Sequence, residues 1–389
     1  MCKWALYCVC DGHGGRSAAK FMEDNLAKEM AKRLPDQCPP PLFTEGWQAW
    51  GSKVREAVVD TFLQLDKEFE AQGSAQQGSS TAARLQLLKQ KSTKSGCTAS
   101  VALVCGHLLT VANIGDSEAF LDTGRKYIVE MTKSHKIDIN IGEQERLRAA
   151  GRQVTQLGVD LFRPAEEGEK GVGPLRVWPS GLAVSRSVGD FDCGSEVTAA
   201  PHVRQVEIPL AGARLILASD GVWDHITGKQ ACKTARKSRI HEVPEVLIRL
   251  VETKSNHGGL TDDTSVLVVD MLPNSRVDFK DVTKKLRSPL HAFKRFVQLK
   301  EAVRPELLAD YDGVEKKEQV EAAKVAYGKA TTFDLDARQR SISEEEDDSQ
   351  DLFVLGSNHK PDTPPGLTPG SNVSKIILNP DALAQSKSL

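Results

Sequence analysis

The stretch Ala5-Leu-Tyr-Cys-Val-Cys-Asp-Gly-His-Gly-Gly15 decides how this chain is read. Ala5 to Cys10 is an unbroken apolar run of strand length, suited to a buried strand. Asp11 closes the run, and Gly12, Gly14 and Gly15 let the backbone turn sharply and approach a ligand closely. A carboxylate and an imidazole at the lip of a buried strand can serve a metal site or acid–base chemistry. Taken alone, the blander reading is preferred: a strand, a glycine turn and a helix cap.

The bulk numbers narrow the function classes. A chain of 389 residues holds one large domain or two medium ones. With 40% hydrophobic and 27% charged residues and a net charge of −2, it gives no electrostatic case for nucleic acid or an anionic membrane. No apolar run approaches the ~18–20 residues of a membrane span. The apolar stretch after Lys3 is too short for a signal peptide and has no small-residue cleavage site. Eight cysteines without paired spacing, several in apolar runs, read as reduced buried thiols of a cytoplasmic or nuclear protein. Cys8 and Cys10 share one side of a strand and are poorly placed to bridge each other. Nothing signals oligomerisation, so a monomer is expected.

Hydrophobic spacing places the elements. Arg16 to Leu34 predicts a helix through Ala19, Phe21, Met22, Leu26 and Met30, stopped by Pro35. Ser52 to Phe69 predicts a second, with Val54, Val58, Phe62, Leu65 and Phe69 on one stripe. Residues 72–95 read as an exposed insertion. Two hairpins follow, Ser100–Cys105 with Leu108–Ile114 and Glu118–Leu121 with Lys126–Met131, and together they predict an antiparallel meander. Glu143–Ala150 and Pro244–Val251 read as helices, and Arg214–Ala218 and Thr264–Leu272 as buried strands. The globular part is expected to end near residue 273. Residues 274–330 read as a polar, partly helical extension, and 331–389 as a disordered acidic, Pro/Ser-rich tail.

Aspartates recur where apolar strands end. Asp11 follows Leu6–Cys10, Asp116 follows Leu109–Gly115, Asp220 follows Leu215–Ser219, and Asp262 and Asp263 precede Thr264–Val269. One strand-end Asp is usually a turn residue or cap. Several are harder to dismiss, because adjacent sheet ends bring them together, where they repel one another unless a cation intervenes. Oxygen-only ligands suit Mg²⁺ or Mn²⁺. No Cys/His cluster has zinc spacing, no phosphate loop precedes a Lys-Ser/Thr pair, and no Gly-x-Ser-x-Gly elbow supports a serine hydrolase.

Six blocks complete the pattern: Val9-Cys-Asp-Gly-His-Gly-Gly15, Ser95-Gly-Cys-Thr-Ala-Ser100, Val111-Ala-Asn-Ile-Gly-Asp-Ser117, Gly181-Leu-Ala-Val-Ser-Arg-Ser-Val-Gly-Asp-Phe191, Leu217-Ala-Ser-Asp-Gly-Val-Trp-Asp224 and Thr261-Asp-Asp-Thr-Ser-Val266. In this order the chain resembles the type 2C family of metal-dependent serine/threonine protein phosphatases. Arg176-Val-Trp-Pro179 leading into Gly181-Leu182 resembles plant or green-algal members. The resemblance implies an α+β fold, a four-layer α/β/β/α sandwich of two mostly antiparallel sheets flanked by helices. It implies that Asp11 bridges two divalent ions, Mg²⁺ or Mn²⁺, that the Gly12 carbonyl helps hold one through water, and that Asp220 and Asp262 complete the first ion's shell. Asp116 would belong to a third, more weakly held ion. A metal-activated hydroxide would attack phosphorus in line, with His13 as general acid and phosphoproteins as substrates. Thr98 and Asp190 would support the site, and Asp224 reads as a helix cap or outer residue rather than a ligand.

The chain also departs from the family pattern. The family's domain carries upstream strands with an Arg for the substrate phosphate and a Glu-Asp pair for the second metal, and this chain reads as lacking them. Met22-Glu-Asp24 imitates the pair on the wrong helix. Glu118 stands where the family usually has Arg, Ser134 where it has Asp before His-Lys, and Asp263 where it has Asn. Two function classes therefore stay open: a metal-dependent phosphatase, and a catalytically impaired relative that binds phosphoproteins or regulatory partners. In the tail, Arg338-Gln-Arg-Ser-Ile-Ser343 ahead of an acidic block makes Ser341 and Ser343 candidate phosphorylation sites.

Overall fold

Strands covered on both faces explain why their sequences read as unbroken apolar runs. In β1 (Ala5–His13), Leu6, Cys8 and Cys10 pack to one side and Val9 to the other. In β10 (Ala213–Ala218), Leu215 and Leu217 face one core while Ile216 and Ala218 face another. The computed structural model describes residues 3–41, 44–75, 94–124, 127–255, 258–272, 305–314 and 373–378. Every element named below belongs to the unit formed by Met1–Gly313 and Gly370–Leu389. Val314–Pro369 forms a second unit, of which only Val314 is described.

Two antiparallel sheets make the centre. The first contains β2 (Gly96–Cys105), β3 (Leu108–Ile114), β9 (His202–Glu207), β12 (Glu306–Asp312) and β13 (Val373–Leu378), in the order β12-β9-β3-β2-β1-β13, with the short β8 (Val188–Gly189) also on β2. The second runs β11-β10-β4-β5, where β4 is Glu118–Asp122, β5 is Ile128–Glu130 and β11 is Val266–Met271. A separate hairpin joins β6 (Gln153–Leu157) to β7 (Val172–Trp178). Val9, Val111, Leu121, Leu215 and Leu267 fill the space between the two main sheets.

Helices cover the outer faces. On the first sheet lie α1 (Ser17–Arg33) and α2 (Glu45–Ala75), whose expected stripes are buried, from Phe21 to Met30 and from Val54 to Phe69. Removing one such ring, as in Phe62→Ala, typically costs about 3–5 kcal/mol. On the second sheet lie α5 (Gly228–Ala235) and α6 (Val243–Lys254), packing Cys232, Leu247 and Val251 against Ile216 and Val266. The layers are therefore α/β/β/α. Two shorter helices, α3 (Ile141–Ala149) and α4 (Asp220–Trp223), serve the site. Among the described residues no helix is long and apolar enough to cross a membrane.

Three expectations are corrected. The meander is split: β3 and β4 belong to different sheets, and the chain crosses between them at Gly115-Asp116-Ser117. The second helix starts seven residues before Ser52, at Glu45. Gly51, a poor helix former, lies inside it because Trp47 and Trp50 stack at 5.7 Å and Trp50 on Trp4 at 5.6 Å. Finally, the sheet does not stop near residue 273. Glu306–Asp312 pairs with β9 and Val373–Leu378 with β1, although both lie where extension and tail were expected. Most of the insertion (76–93), most of the partly helical extension expected over 274–330, and Ser341 and Ser343 lie outside the described residues. Among the described residues no cysteine is in a disulfide, and all but Cys38 are buried.

Charge fastens β12. Arg186, 1% exposed, is gripped by Glu143 of α3 at 2.8 Å and by Asp312 of β12 at 2.7 Å. It also donates to the Ala200 carbonyl at 3.1 Å. Asp310 meets His202 and Arg204. Burial alone would push the Glu143 carboxyl up, but hydrogen bonds from Arg186 and Arg146 hold it well below the usual range. Because its folded pKa is depressed, Glu143 stabilises the fold above its unfolded value, near ~4.3, and that stability drains as pH falls. Glu143→Gln is expected to cost roughly 3–5 kcal/mol at pH 7 by urea unfolding, with the gap to wild type narrowing below about pH 4.3; a gap independent of pH contradicts this. Asp312→Asn, which leaves Arg186 one carboxylate, is expected to cost about 1.5–3 kcal/mol and to release β12 in hydrogen-exchange measurements.

Candidate active site

The site stands where strand ends of both sheets meet. Asp11 and His13 occupy the last positions of β1, opposite Thr98 and Gly96 of β2. Asp116 lies on the crossover from β3 to β4. Gly115 makes that crossover, with φ of +82° and room for no side chain, since a Cβ would lie 2.3 Å from the Thr98 Cβ. Thr98 Oγ1 is 3.2 Å from Ser117 Oγ, so Thr98 braces the crossover. Asp220 opens α4 after β10, and Trp223 Nε1 pins that helix to the Ala218 carbonyl at 2.8 Å. Asp262 sits just before β11, where Ser219 Oγ donates to the Asp263 carbonyl at 3.1 Å and accepts from Ser265 N at 2.9 Å, tying the two strand ends together.

The four aspartates feel one another. Burial pushes the Asp11 carboxyl up to about 8, with the charges of Asp220, Asp116 and Asp262 adding and His13 opposing. Burial, then Asp220, pushes Asp116 up to about 7 against the pull of Lys136. Burial also raises Asp220, reinforced by Asp224 and Asp262, while Lys136 and a hydrogen bond with Asp11 offset part of the rise. Four like charges held in one partly buried space call for positive charge. The donors are all oxygen, the set a hard divalent cation takes, and the arrangement fits such an ion. Gly12 is a buried ladder residue opposite Cys97. Among the described residues only Asp190, Asp192 and Cys193 bring three ligand atoms within 4.8 Å of one another. That trio suits an ion poorly, because Asp190 already serves His13 and Ser187, and burial pushes the Cys193 thiol up to about 12. The four aspartates are spread more widely, as ligands shared between ions would be.

His13 has its own support. Its Nε2 lies 2.7 Å from Asp190 Oδ2, which also accepts from Ser187 Oγ at 2.5 Å. Asp190 holds a left-handed φ of +52°, with its N–H on the Ser95 carbonyl at 3.2 Å. Burial pulls the imidazole down in pKa, but the hydrogen bond and charge of Asp190 outweigh it and leave His13 raised. The contact exists because residue 96 is glycine: a Cβ there would sit 2.0 Å from Asp190 Oδ2 and 2.3 Å from His13 Nε2. Behind it, Asp66 of α2 accepts from Gly189 N at 2.9 Å.

Sequence reasoning missed several of these residues. Gly96 carries no local signal of its role, being one glycine within Ser95–Ser100. Asp66 gave no signal, being one acidic residue on an amphipathic helix. Lys136 also went unread, yet its Nζ lies 3.9 Å from Asp116 and 3.6 Å from Asp220 and bonds Asp224. Glu23 and Asp24, the imitation pair, bind Lys20 on the exposed side of α1. Two departures from the family pattern meet each other: burial pushes Glu118 up to about 7, and a hydrogen bond from Ser134 opposes the rise. A carboxyl–hydroxyl pair thus stands where the resemblance led to the expectation of Arg and Asp.

A sequence profile described as protein phosphatase 2C matches residues 2–252. The chain belongs to the protein phosphatase 2C family. It is 32% identical over 291 residues to "Probable protein phosphatase 2C 5" of Arabidopsis thaliana, covering 75% of this chain and 59% of that protein. It is 34% identical over 271 residues to "Probable protein phosphatase 2C 33" of Oryza sativa subsp. japonica, covering 70% and 54%. The chain thus spans between half and three-fifths of the length of these plant relatives. The crystal structure of a serine-threonine phosphatase 2C from Toxoplasma gondii superposes with a TM-score of 0.49 at 20% identity, over 69% of this chain and 85% of that one.

The Asp190 contact is measurable. By NMR titration in chelator, His13 is expected to titrate above the ordinary value near 6.5. Asp190→Asn and Gly96→Ala should each lower it, the first by removing the charge and the second by driving the two side chains apart. A His13 pKa unchanged in both variants contradicts the pairing.

Proposed function

We propose that this chain is a divalent-cation-dependent phosphatase of phosphoserine and phosphothreonine proteins. The observation that carries the reading is the convergence of Asp11, Asp116, Asp220 and Asp262 in one charged space beside the His13–Asp190 pair. In this reading Asp11, the Gly12 carbonyl, Asp220 and Asp262 hold two ions, Mg²⁺ or Mn²⁺, and Asp116 belongs to a third, weaker one. Such a pair of ions supplies a water acidic enough to attack phosphorus near neutral pH.

The chain's own residues do the rest. Departure of a serine or threonine alkoxide requires a proton. Asp190 occupies Nε2 of His13, so the proton left to deliver is the one on Nδ1. The same carboxylate raises the imidazole's hold on its proton, which favours the acid form. Ser187 and the Ser95 carbonyl fix Asp190, so the imidazole plane is set before substrate arrives.

Hydrolysis of a phosphothreonine peptide with Mn²⁺ tests the reading. His13→Ala is expected to lower kcat by roughly 10²–10⁴, and Asp220→Ala to abolish turnover. Rates unaffected by either substitution contradict the mechanism. Peptide binding without hydrolysis by the unaltered chain selects the non-catalytic, phosphoprotein-binding reading instead.

A further inference from the structure

Three carboxylates converge on one ammonium group. Lys136 Nζ bonds Asp224 and stands 3.6 Å from Asp220 Oδ2 and 3.9 Å from Asp116 Oδ2. We infer that Lys136 is a tethered counter-cation, occupying the Asp116–Asp220–Asp224 end of the cluster and competing there with a divalent ion. The inference rests on the metal-site reading above and adds to it a residue that sets how tightly one end of the site holds its ion.

The backbone delivers this amine on purpose-built supports. Next to it, His135 donates its N–H to the Gly115 carbonyl at 2.9 Å, one residue from Asp116. Ile137 donates to the Ala183 carbonyl at 2.9 Å, and Lys136 itself bridges Val184. The stem is thus anchored on both sides, and only the side chain is free to swing. Asp224 lies one helical turn past Asp220, its N–H on the Asp220 carbonyl at 2.9 Å, and is half exposed. The ammonium is pulled toward this outer carboxylate and stands off from the two inner ones. An ion of charge +2 entering between Asp116 and Asp220 would push a +1 ammonium outward along Asp224. Binding at this end then has to overcome the lost Lys136 contacts. Of the aspartates read as holding the two tighter ions, Lys136 contacts only the shared Asp220, so the Asp11 end carries the smaller penalty.

Calorimetric titration of Mn²⁺ into the full chain and its Lys136→Met, Lys136→Gln and Lys136→Arg variants tests this. The neutral variants are expected to tighten the weakest Mn²⁺ step by about tenfold, ~1.4 kcal/mol, with the tighter binding changed less, and Lys136→Arg to keep the wild-type profile. In chelator the neutral variants should melt lower than wild type, and Mn²⁺ should raise their Tm more than it raises wild type's. A Lys136→Met chain that folds only with Mn²⁺ supports the inference. One that stays unfolded in both conditions gives Lys136 a merely structural role and overturns it, as do identical affinities in all four chains. Wild type that binds no Mn²⁺ at all overturns the metal-site reading itself, whereas binding that ignores residue 136 overturns this inference alone.

Discussion

Repulsion among buried carboxylates is the constraint that organises this molecule. Asp11, Asp116 and Asp220 come from three separate segments, and each is raised in pKa by burial and by its neighbours. A fold spends stability to hold such a cluster, because every member loses hydration and gains a like-charged neighbour. The two sheets are rigid enough to impose it: the strands behind the aspartates are covered on both faces, so their ends cannot relax apart.

Small residues at close approaches make the geometry possible. Gly115 lets the chain leave one sheet for the other while Thr98 packs against it. Gly96 leaves the gap in which His13 reaches Asp190. Farther out, Arg186 joins α3 and β12 through Glu143 and Asp312, and the residues that finish the His13 support follow at once, Ser187 next to it and Asp190 four positions on. The same short segment therefore carries a structural ion network at one end and a site residue at the other.

Much of this was legible because burial writes itself into sequence. Leu215-Ile-Leu-Ala stops at a carboxylate, and the stripe from Val54 to Phe69 repeats at helical spacing; both read correctly. Asp11, Asp116, Asp220 and Asp262 were found as strand-end acids, and they do share one charged space. The parts that were missed lack local pattern. Lys136 is one lysine in a loop, and its meaning comes from three distant acids. β12 reads as ordinary polar sequence, because Asp310 and Asp312 look like solvent-facing residues until Arg204 and Arg186 are placed beside them. The meander failed because strand spacing cannot tell a turn within a sheet from a crossing between sheets. The second helix was cut short because Gly51 weighs against a helix locally, while the stacked tryptophans that overrule it are a tertiary effect.

A cation site formed by the four aspartates would hold Mn²⁺ in the crystal. The most direct measurement is an anomalous-difference map from crystals of this chain soaked in Mn²⁺. Peaks enclosed by Asp11, Asp220 and Asp262 are expected. No peak there, or a peak confined to Asp190, Asp192 and Cys193, would contradict it.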